Sequence, residues 1–551
     1  MKRVIFPIAL CFIGMALNAQ DISQTQKIPA TYDRSSITFL FLEFPTDNHL
    51  SEVKGKIDSI QFSDKFYNNN VDFKVLSSPF VRGAGGLNKF EEIKKSIVEK
   101  KVARDIIAKW YSRNSDGTMS LNLVNERGMF NATDAAFLKA QTTKRGNATL
   151  EDYGNRLINL SYILVLDYQG VKTMKEAKLD KMRGWQATVN GYLYKIDYTE
   201  EVQNALYDIW IYDDDTPQVK AEKMKKFEEL QFPISFVTET MVVVSASQAE
   251  GTTQIGRLIK QKSDDQLLKE MVQKGYEETV YSLEKKYEQF RVKTPISQVR
   301  PIRAKVGKKE GIKCDYRFFA YEYVYDEKTN STKQKFRGVI RATSKIIDNR
   351  HVAKGDMGTT KFYQTAGRRL KTGYLLQQRN DFGGEFSLGY EIGEVGGVYG
   401  RLDLRLGRYI GFKSTFLYLE GGYESKNYEN IPYGPNATDD VNFLRYGGGL
   451  AKGLMLMKNI ELRPYVGIGQ ETASNKEWKD SGGSLSILYA KGGANLALNL
   501  KHNIQVVGGV GFYSFISYPT DEDDKEIEMK WNDIFKDRMG ASSFVGIRFG
   551  F

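Results

Sequence analysis

The sequence predicts a multidomain chain: an α/β region expected in the periplasm, then a small all-β module, then a C-terminal eight-stranded antiparallel transmembrane β-barrel. Three observations predict this order. The first 19 residues have the pattern of a signal peptide, segments of about ten residues alternate apolar and polar side chains from Thr372 onward, and the chain stops on the aromatic residue Phe551. At 551 residues the chain is also too long for one ordinary core.

These changes of pattern set the expected domain boundaries. They are a signal peptide at 1–19, the α/β region at 20–290, a basic linker at 291–313, the small β module at 314–371 and the barrel at 372–551.

The signal peptide is indicated by positive charge at Lys2 and Arg3, an apolar run over 4–17 and a small residue at Ala19. No later stretch reaches the roughly 18 apolar residues that a membrane-spanning helix needs. Cys11 lies in the signal, so Cys314 is expected to be the one mature cysteine. Neither an intramolecular disulfide nor a cysteine zinc cluster is therefore expected.

The composition also favours a β-barrel. The chain has 50 Gly and 12 Pro, together with 32 Tyr and 31 Phe. Antiparallel barrels use Gly where strands pack closely and aromatic residues at membrane interfaces. The formal net charge of +11 is spread along the chain. Since an exported protein rarely meets nucleic acid, nucleic acid is not an expected partner.

Strand-like alternation is clear in the second of the eight barrel segments, where Leu402 and Leu404 alternate with Arg401, Asp403 and Arg405. A period of two places successive side chains on opposite faces of a strand. A soluble sandwich would turn such charges to water, whereas the narrow interior of an eight-stranded barrel encloses and pairs them. The predicted interior charges are Glu385, Glu391, Arg401, Asp403, Arg405, Glu461, Arg463 and Arg548.

Loop lengths distinguish the two ends of the predicted barrel. Connections near residues 408, 456 and 501 are short, whereas those at 427–440, 471–483 and 516–540 are long and polar. Outer-membrane barrels combine short periplasmic turns with longer outer loops, so the whole N-terminal region is expected in the periplasm. One outer connection, at 394–396, is short against this pattern.

The last strand carries apolar residues at every second position, Val545, Ile547, Phe549 and Phe551. This resembles the C-terminal signature by which bacterial outer-membrane barrels are recognised for insertion. Residues 372–551 as a whole resemble the small eight-stranded outer-membrane barrels of the OmpA and OmpX type. One departure is that OmpA carries its periplasmic domain after the barrel, whereas here about 350 residues precede it. The resemblance therefore implies nothing about the N-terminal region, which resembles no family we recognise.

Mixed periodicities predict the elements of the N-terminal region. Strands are expected at 36–44, 160–168, 184–198 and 232–244, and amphipathic helices at 90–110 and 267–290. Strands of the small β module are expected at 315–325 and 336–347, and residues 364–370 are expected to join that module to the barrel.

The linker at 291–313 holds Pro295, Pro301 and eight Lys or Arg, against Glu310 as its one acid. Two interpretations stay open, a solvated connector and a patch that faces anionic headgroups or cell-wall polymer.

No catalytic or cofactor motif stands out, so no catalytic, cofactor-binding or metal-binding residue is predicted. His49, His351 and His502 lack partners at the spacing of a zinc helix and are expected to be ordinary solvated or capping histidines. The glycine-rich run at 81–86 lacks the third glycine of a dinucleotide loop. Asp213–Asp215 precede Thr216 and Pro217, which favours the start of a helix over a cation site.

The longest outer loop is acidic over residues 521–528. Cation binding near lipopolysaccharide phosphates and simple solubility both fit this composition, and solubility is favoured.

These features predict an outer-membrane protein without catalytic activity whose barrel anchors a periplasmic interaction or assembly module. Outer-membrane lipid, the barrel-insertion machinery and a periplasmic protein or cell-wall polymer are the expected partners. Two alternatives stay open, an outer-membrane enzyme acting on lipid or peptide and a narrow transport channel.

Overall fold

The computed structural model describes residues 33–69, 71, 74–82, 88–131, 154–251, 260–326, 331–350, 358–429, 431–432, 438–475, 478, 484–521, 523, 525–536 and 538–551. The predicted signal peptide, His351 and the glycines of the run at 81–86 lie outside these ranges.

The N-terminal region is a three-layer α/β/α domain. Its strands are β1 Ser36–Glu43, β2 Tyr67–Asn68, β3 Val75–Ser77, β4 Ser161–Thr173, β5 Met182–Ile196 and β6 Ile234–Ala249. Its helices are α1 Leu50–Ile57, α2 Lys89–Glu99, α3 Val102–Trp110, α4 Asn122–Asn131, α5 Glu200–Asp208, α6 Pro217–Glu229 and α7 Asp264–Lys286. The strand order is β2-β1-β4-β5-β6, and β3 also pairs with β1.

Strand β1 is apolar on both faces because it lies in the middle layer. It pairs in parallel with β2, β3 and β4, whereas β5 and β6 continue the sheet antiparallel. Phe39 and Phe41 belong to the core beneath α1 and α7, and Leu40 and Leu42 belong to the opposite core beneath α2 and α3.

The helix predicted at 90–110 is two helices. Helix α2 ends at Glu99, and Lys101 adopts a left-handed conformation (φ 54°) before α3 begins. The apolar stripe continues across the break, which explains why the periodicity alone suggested one helix.

The second domain is a small closed β-barrel, and the linker predicted at 291–313 is part of it. Its strands are β7 Lys293–Val299, β8 Ile302–Ala304, β9 Arg317–Asp326, β10 Ser331–Ala342, β11 Thr360–Gly367 and β12 Leu375–Gln378, in the closed order β10-β11-β8-β7-β12-β9. The connector predicted at 364–370 largely coincides with β11. Both errors have one cause: these short strands acquire their apolar partners only through pairing with distant segments.

The C-terminal domain is an antiparallel barrel that begins at Gly384, not at 372, because β12 belongs to the small barrel. Its elements are β13 Gly384–Gly393, β14 Gly397–Arg405, α8 Gly407–Ile410, β15 Thr415–Glu429, β16 Thr438–Lys452, β17 Leu454–Met457, β18 Ile460–Ser474, β19 Leu485–Asn499, β20 Ile504–Phe515, α9 Trp531–Ile534 and β21 Gly540–Gly550.

Eight long strands close this barrel, and β17 extends the line of β16. The closing pairs are β13 with β21 and β16 with β18. The outer surface carries exposed apolar side chains at alternate positions, such as Leu388, Val466 and Val510, while the charged alternates point inward. This inverted polarity is that of a barrel in lipid and confirms the predicted outer-membrane barrel fold. In the described ranges, no helix has the length and apolar character needed to span a bilayer.

Candidate functional site

The interior of the C-terminal barrel is filled by ion pairs. We call the end with the connections after β14, β17 and β19 the short-turn end, and the opposite end the long-loop end. An eight-stranded barrel leaves room only for its own side chains, and charges enclosed there require partners. Two clusters of paired charges occupy the interior, one nearer each end.

The cluster near the short-turn end contains seven of the eight predicted interior charges. Arg463 is fully buried, and its guanidinium contacts Glu385 (Nη2–Oε2 2.7 Å), Glu461 (Nε–Oε1 2.5 Å) and Asp403 (Nη1–Oδ1 3.5 Å). Glu385 also accepts from Arg405 at 2.8 Å. Two further pairs complete the cluster, Arg401 with Asp403 at 2.8 Å and Arg548 with Glu385 at 3.9 Å.

The eighth predicted charge, Glu391, lies in the cluster nearer the long-loop end. Its carboxylate contacts Lys491 Nζ (2.9 Å) and Arg445 Nη2 (3.3 Å), and it accepts from the hydroxyl of Tyr513 at 3.0 Å. The other members are Glu420, Glu424, Glu471 and Arg538.

Sequence reasoning missed six members of this second cluster. Glu420, Arg445 and Lys491 each stand next to or near paired glycines in β15, β16 and β19, and the glycines interrupt the apolar alternation. A single charge within a glycine-rich, strand-length segment is the signal that could have identified them.

Aromatic residues close the barrel at the long-loop end. Phe535 packs against Trp478, Phe443 and Trp531 of α9, and these residues share one buried cluster. Trp531 Nε1 donates to Glu471 Oε1 at 2.9 Å, which joins this cap to the ion pairs below it.

The acidic stretch predicted at 521–528 belongs to the loop that carries this cap. Asp523, Glu526 and Glu528 are exposed, and Glu522 and Asp524 lie outside the described residues. Exposed carboxylates at these positions fit the favoured interpretation, which is solubility.

The small barrel closes the short-turn end. Asp315 accepts from Ser414 N (2.7 Å) and from the hydroxyl of Tyr363 (2.7 Å), and it lies 3.7 Å from Arg405 Nη1. A Cβ on Gly407 would lie 2.1 Å from Asp315 Oδ2, so only glycine allows this approach.

Further contacts fix the same junction. Asn459 Oδ1 accepts from Gly367 N at 2.8 Å, and Asp381 is paired with Arg317 and Arg341. Burial alone would raise the pKa of Asp381, but the two guanidinium groups hold it below its usual value.

The α/β domain is joined to the small barrel by a buried ion pair. Lys65 Nζ lies 2.7 Å from Glu284 Oε1 of α7 and donates to Gln378 Oε1 of β12 at 3.2 Å. Burial lowers the pKa of Lys65, and the neighbouring carboxylate counteracts that shift. The three domains are therefore connected through buried polar contacts rather than through a free linker.

The residues of the predicted insertion signature face the outside of the barrel. Val545, Ile547, Phe549 and Phe551 are between 37% and 53% exposed, and the Phe551 ring stacks on Phe382.

The two histidines that the structure describes, His49 and His502, contact other side chains of the protein. His49 contacts Glu52 and Glu176, both at about 3 Å, and its ring meets Trp185 edge-on. His502 stays exposed, as predicted for a solvated histidine, while one side of its ring packs against Phe319 and Phe336 of the small barrel. Partial burial lowers its pKa.

Cys314 is buried, and burial raises the pKa of its thiol to about 12. Asp215 lies at the start of α6, where Thr216 caps the helix and Asp215 pairs with Lys223 at 2.7 Å. Among the side chains described, no group of three or more His, Cys, Asp or Glu is arranged to hold a metal ion.

No protein-family model matches the chain, and no curated protein matches it. Among solved structures, it is similar to a major outer membrane protein from Thermus thermophilus, with 13% identity and a TM-score of 0.22, over 30% of this chain and 99% of that one. The attachment invasion locus protein Ail of Yersinia pestis has 12% identity and a TM-score of 0.19, over 30% and 95%. The N-terminal β-barrel domain of Pseudomonas aeruginosa OprF has 15% identity and a TM-score of 0.20, over 31% and 100%. All three matches are to outer-membrane β-barrels, and each spans less than a third of this chain.

Proposed function

We propose that this is an outer-membrane protein without catalytic activity whose filled barrel anchors a periplasmic interaction module. The observation that carries the proposal is the closed interior: ion pairs fill the barrel, aromatic residues close one end and the small barrel closes the other. An interior occupied in this way leaves the barrel no open path for a solute. The α/β domain, held by Lys65, Glu284 and Gln378, is then the part that is free to bind a partner.

The proposed orientation places the short-turn end and the α/β domain in the periplasm. It is supported by the usual arrangement of outer-membrane barrels, which have short turns inside and long loops outside. After export, the predicted signal peptide at 1–19 would be removed. The interaction partner would be a periplasmic protein or a cell-wall polymer.

Thiol labelling in cells tests the orientation. In a Cys314→Ala background, Glu526→Cys at the long-loop end should react with a membrane-impermeant maleimide in intact cells. Lys225→Cys on α6 should react only after the outer membrane is permeabilised, because the reagent does not reach the periplasm of intact cells. Both side chains are exposed in the folded protein, so each cysteine can react once the reagent reaches it. Labelling of Lys225→Cys in intact cells would contradict the proposal.

A further inference from the structure

A crevice lies at the carboxyl ends of the parallel strands in the α/β domain. After β1 the chain passes to α1 on one face of the sheet, and after the neighbouring β3 it passes to α2 on the other face. Connections that diverge in this way open a crevice, which is where open α/β sheets bind their ligands. Here the crevice has a volume of about 500 Å³.

The wall of the crevice is a clamp in which one guanidinium is paired with two carboxylates. Arg82 contacts Asp47 (Nε–Oδ1 2.6 Å) and Asp167 (Nη2–Oδ1 2.6 Å), and its guanidinium stacks 3.6 Å from the Phe44 ring. Asp167 is only 1% exposed. Because two carboxylates already engage Arg82, the clamp does not offer a free cation to an anionic ligand.

The floor is an uncovered part of the sheet with a polar side and an apolar side. Gln169 and Asn190 donate their amide hydrogens to Asp167, which leaves both side-chain carbonyl oxygens as acceptors. Asn190 is directly opposite Met241, and Thr188 is directly opposite Val243, in the register of β5 with β6. Opposite residues share a face, so an apolar row borders the amides.

That apolar row is exposed. Met241 is 66% and Val243 is 76% exposed, since α2 covers the sheet only as far as Tyr192 and Glu239. Their Cα atoms are two residues apart on one strand, a separation of about 6.8 Å. The alternate side chains of an extended peptide repeat at the same distance.

Two of the four aromatic rings that line the crevice, Phe44 and Tyr192, cannot stack on a glycan, and a third, Phe90, is already stacked on Phe236. Phe44 and Tyr192 are each about 2% exposed, so their faces are not open for a sugar to stack upon. A peptide, by contrast, would match free carbonyl acceptors with its backbone N–H groups and the apolar row with its side chains.

Addition of a peptide strand to the edge of the sheet is opposed by α7. Lys286 Nζ donates to Glu239 O at 2.8 Å, and Lys274 Nζ donates to Ser245 O at 3.1 Å, on the outward edge of β6. Lysines placed in this way block edge pairing. The face of the sheet, not its edge, is then the accessible surface.

We propose that Gln169, Thr188, Asn190, Met241 and Val243, with the adjoining crevice, form a groove that binds an uncharged extended segment of a partner protein with apolar side chains at alternate positions. This inference rests on the proposed function and specifies the surface and the partner class.

Binding of a defined peptide to the full-length protein in detergent tests the groove. The probe is a fluorescein-labelled, end-blocked octapeptide that alternates Val and Ser, followed by fluorescence anisotropy. We expect saturable binding that weakens at least tenfold in Met241→Glu/Val243→Glu, because the new charges would border the bound apolar side chains. The matched control, Leu179→Glu, changes an exposed apolar residue elsewhere and should bind as the unmodified protein does.

Three results would overturn the inference. They are equal binding by Met241→Glu/Val243→Glu, equal binding of a peptide of the same composition with its valines in one block, and displacement of the probe by chitotetraose. All three substituted positions are exposed, and circular dichroism establishes that each variant is folded.

Photo-crosslinking in cells separates this inference from the proposed function. A crosslinker at position 243 should give a protein adduct that Met241→Glu removes. Protein adducts from position 179 but not from position 243 would refute the groove and leave the proposed interaction module intact. A crosslink from position 243 into this chain itself would also refute the groove, because the proposed surface would then be covered by the protein's own residues. If every exposed position of the α/β domain failed to give a protein adduct, the proposed protein partner would be refuted together with the groove, and the cell-wall polymer would be the remaining partner of the proposed function.

Discussion

At the scale of single residues, Arg463 holds the interior of the large barrel together. It is fully buried and contacts three carboxylates, those of Glu385, Glu461 and Asp403. Removing one member of a buried ionic cluster leaves the others uncompensated, and the penalty exceeds the strength of any one pair.

We therefore expect Arg463→Met to lower the free energy of unfolding by about 3–5 kcal/mol. Urea unfolding in lipid vesicles, followed by tryptophan fluorescence, measures this change. Lys458→Met provides the control because Lys458 is exposed in the turn between β17 and β18. Equal stability of the two variants would mean that the interior pairs contribute little.

His49 gives the α/β domain a pH-dependent contact. Burial lowers the pKa of its imidazole, but hydrogen bonds to Glu52 and Glu176 outweigh that effect, and the pKa is raised above its ordinary value of 6.5. A raised pKa in the folded state means that protonation stabilises the fold. This stabilisation is fully present below the ordinary pKa of 6.5 and is lost as the pH rises through the folded-state pKa.

His49→Gln should therefore increase amide hydrogen exchange in α1 at a pH of about 5.5 and change it little at a pH of about 8.5. Mass spectrometry of peptides from α1 measures this exchange, and peptides from α6 provide the internal comparison. A difference of the same size at both pH values would contradict an ionic role for His49.

At the scale of elements, the alternation of apolar and polar residues identified the strands of the large barrel but not all of those of the small barrel. The strands of the large barrel meet lipid on one face and charged side chains on the other. In β14, apolar residues therefore alternate with charged residues along the sequence. The small barrel has no such contrast. In β7, the residues Lys293 and Pro295 are of types that are common in connecting loops. They pair with β12, whose residues lie about 80 positions later in the chain.

The interior site was predictable to the extent that each strand alternates. Glu385 and Arg463 stand in clear alternation and were identified, whereas Lys491 is followed by Gly492 and Gly493 and was not. Which charge pairs with which depends on how the barrel closes, and no single strand contains that information.

The edge of β6 is an element whose protection can be tested. Lys274→Ala/Lys286→Ala would free the outward carbonyl groups of Glu239 and Ser245. We expect the variant to self-associate through this edge, since unprotected edge strands pair with one another. Light scattering in detergent measures the mass, and Lys225→Ala/Lys269→Ala, which removes two exposed lysines elsewhere, should remain at the mass of the unmodified protein.

At the scale of the whole molecule, the three domains form one connected unit. Asp315 and Asp381 join the two barrels, and Lys65 and Glu284 join the α/β domain to the small barrel. A partner bound to the α/β domain would thus be held at a fixed distance from the membrane surface.

A filled and doubly closed barrel should not conduct ions. We expect planar bilayers containing the purified protein to show the conductance of empty bilayers, and Trp531→Ala, which weakens only one cap, to show the same. A gramicidin-containing bilayer establishes that the recording detects a narrow pore. Discrete openings in the unmodified protein would restore the channel alternative.

The ion pairs also constrain how the barrel can be assembled. Glu385 on β13 pairs with Arg463 on β18, and Glu391 on β13 pairs with Lys491 on β19, so partners come from strands far apart in the chain. A strand that entered hydrocarbon before its partner would carry an uncompensated charge, at a cost of about 2–4 kcal/mol or more near the bilayer centre. The early and late strands are therefore expected to meet while water still reaches them. Closure around the charges would precede, or accompany, release into the lipid.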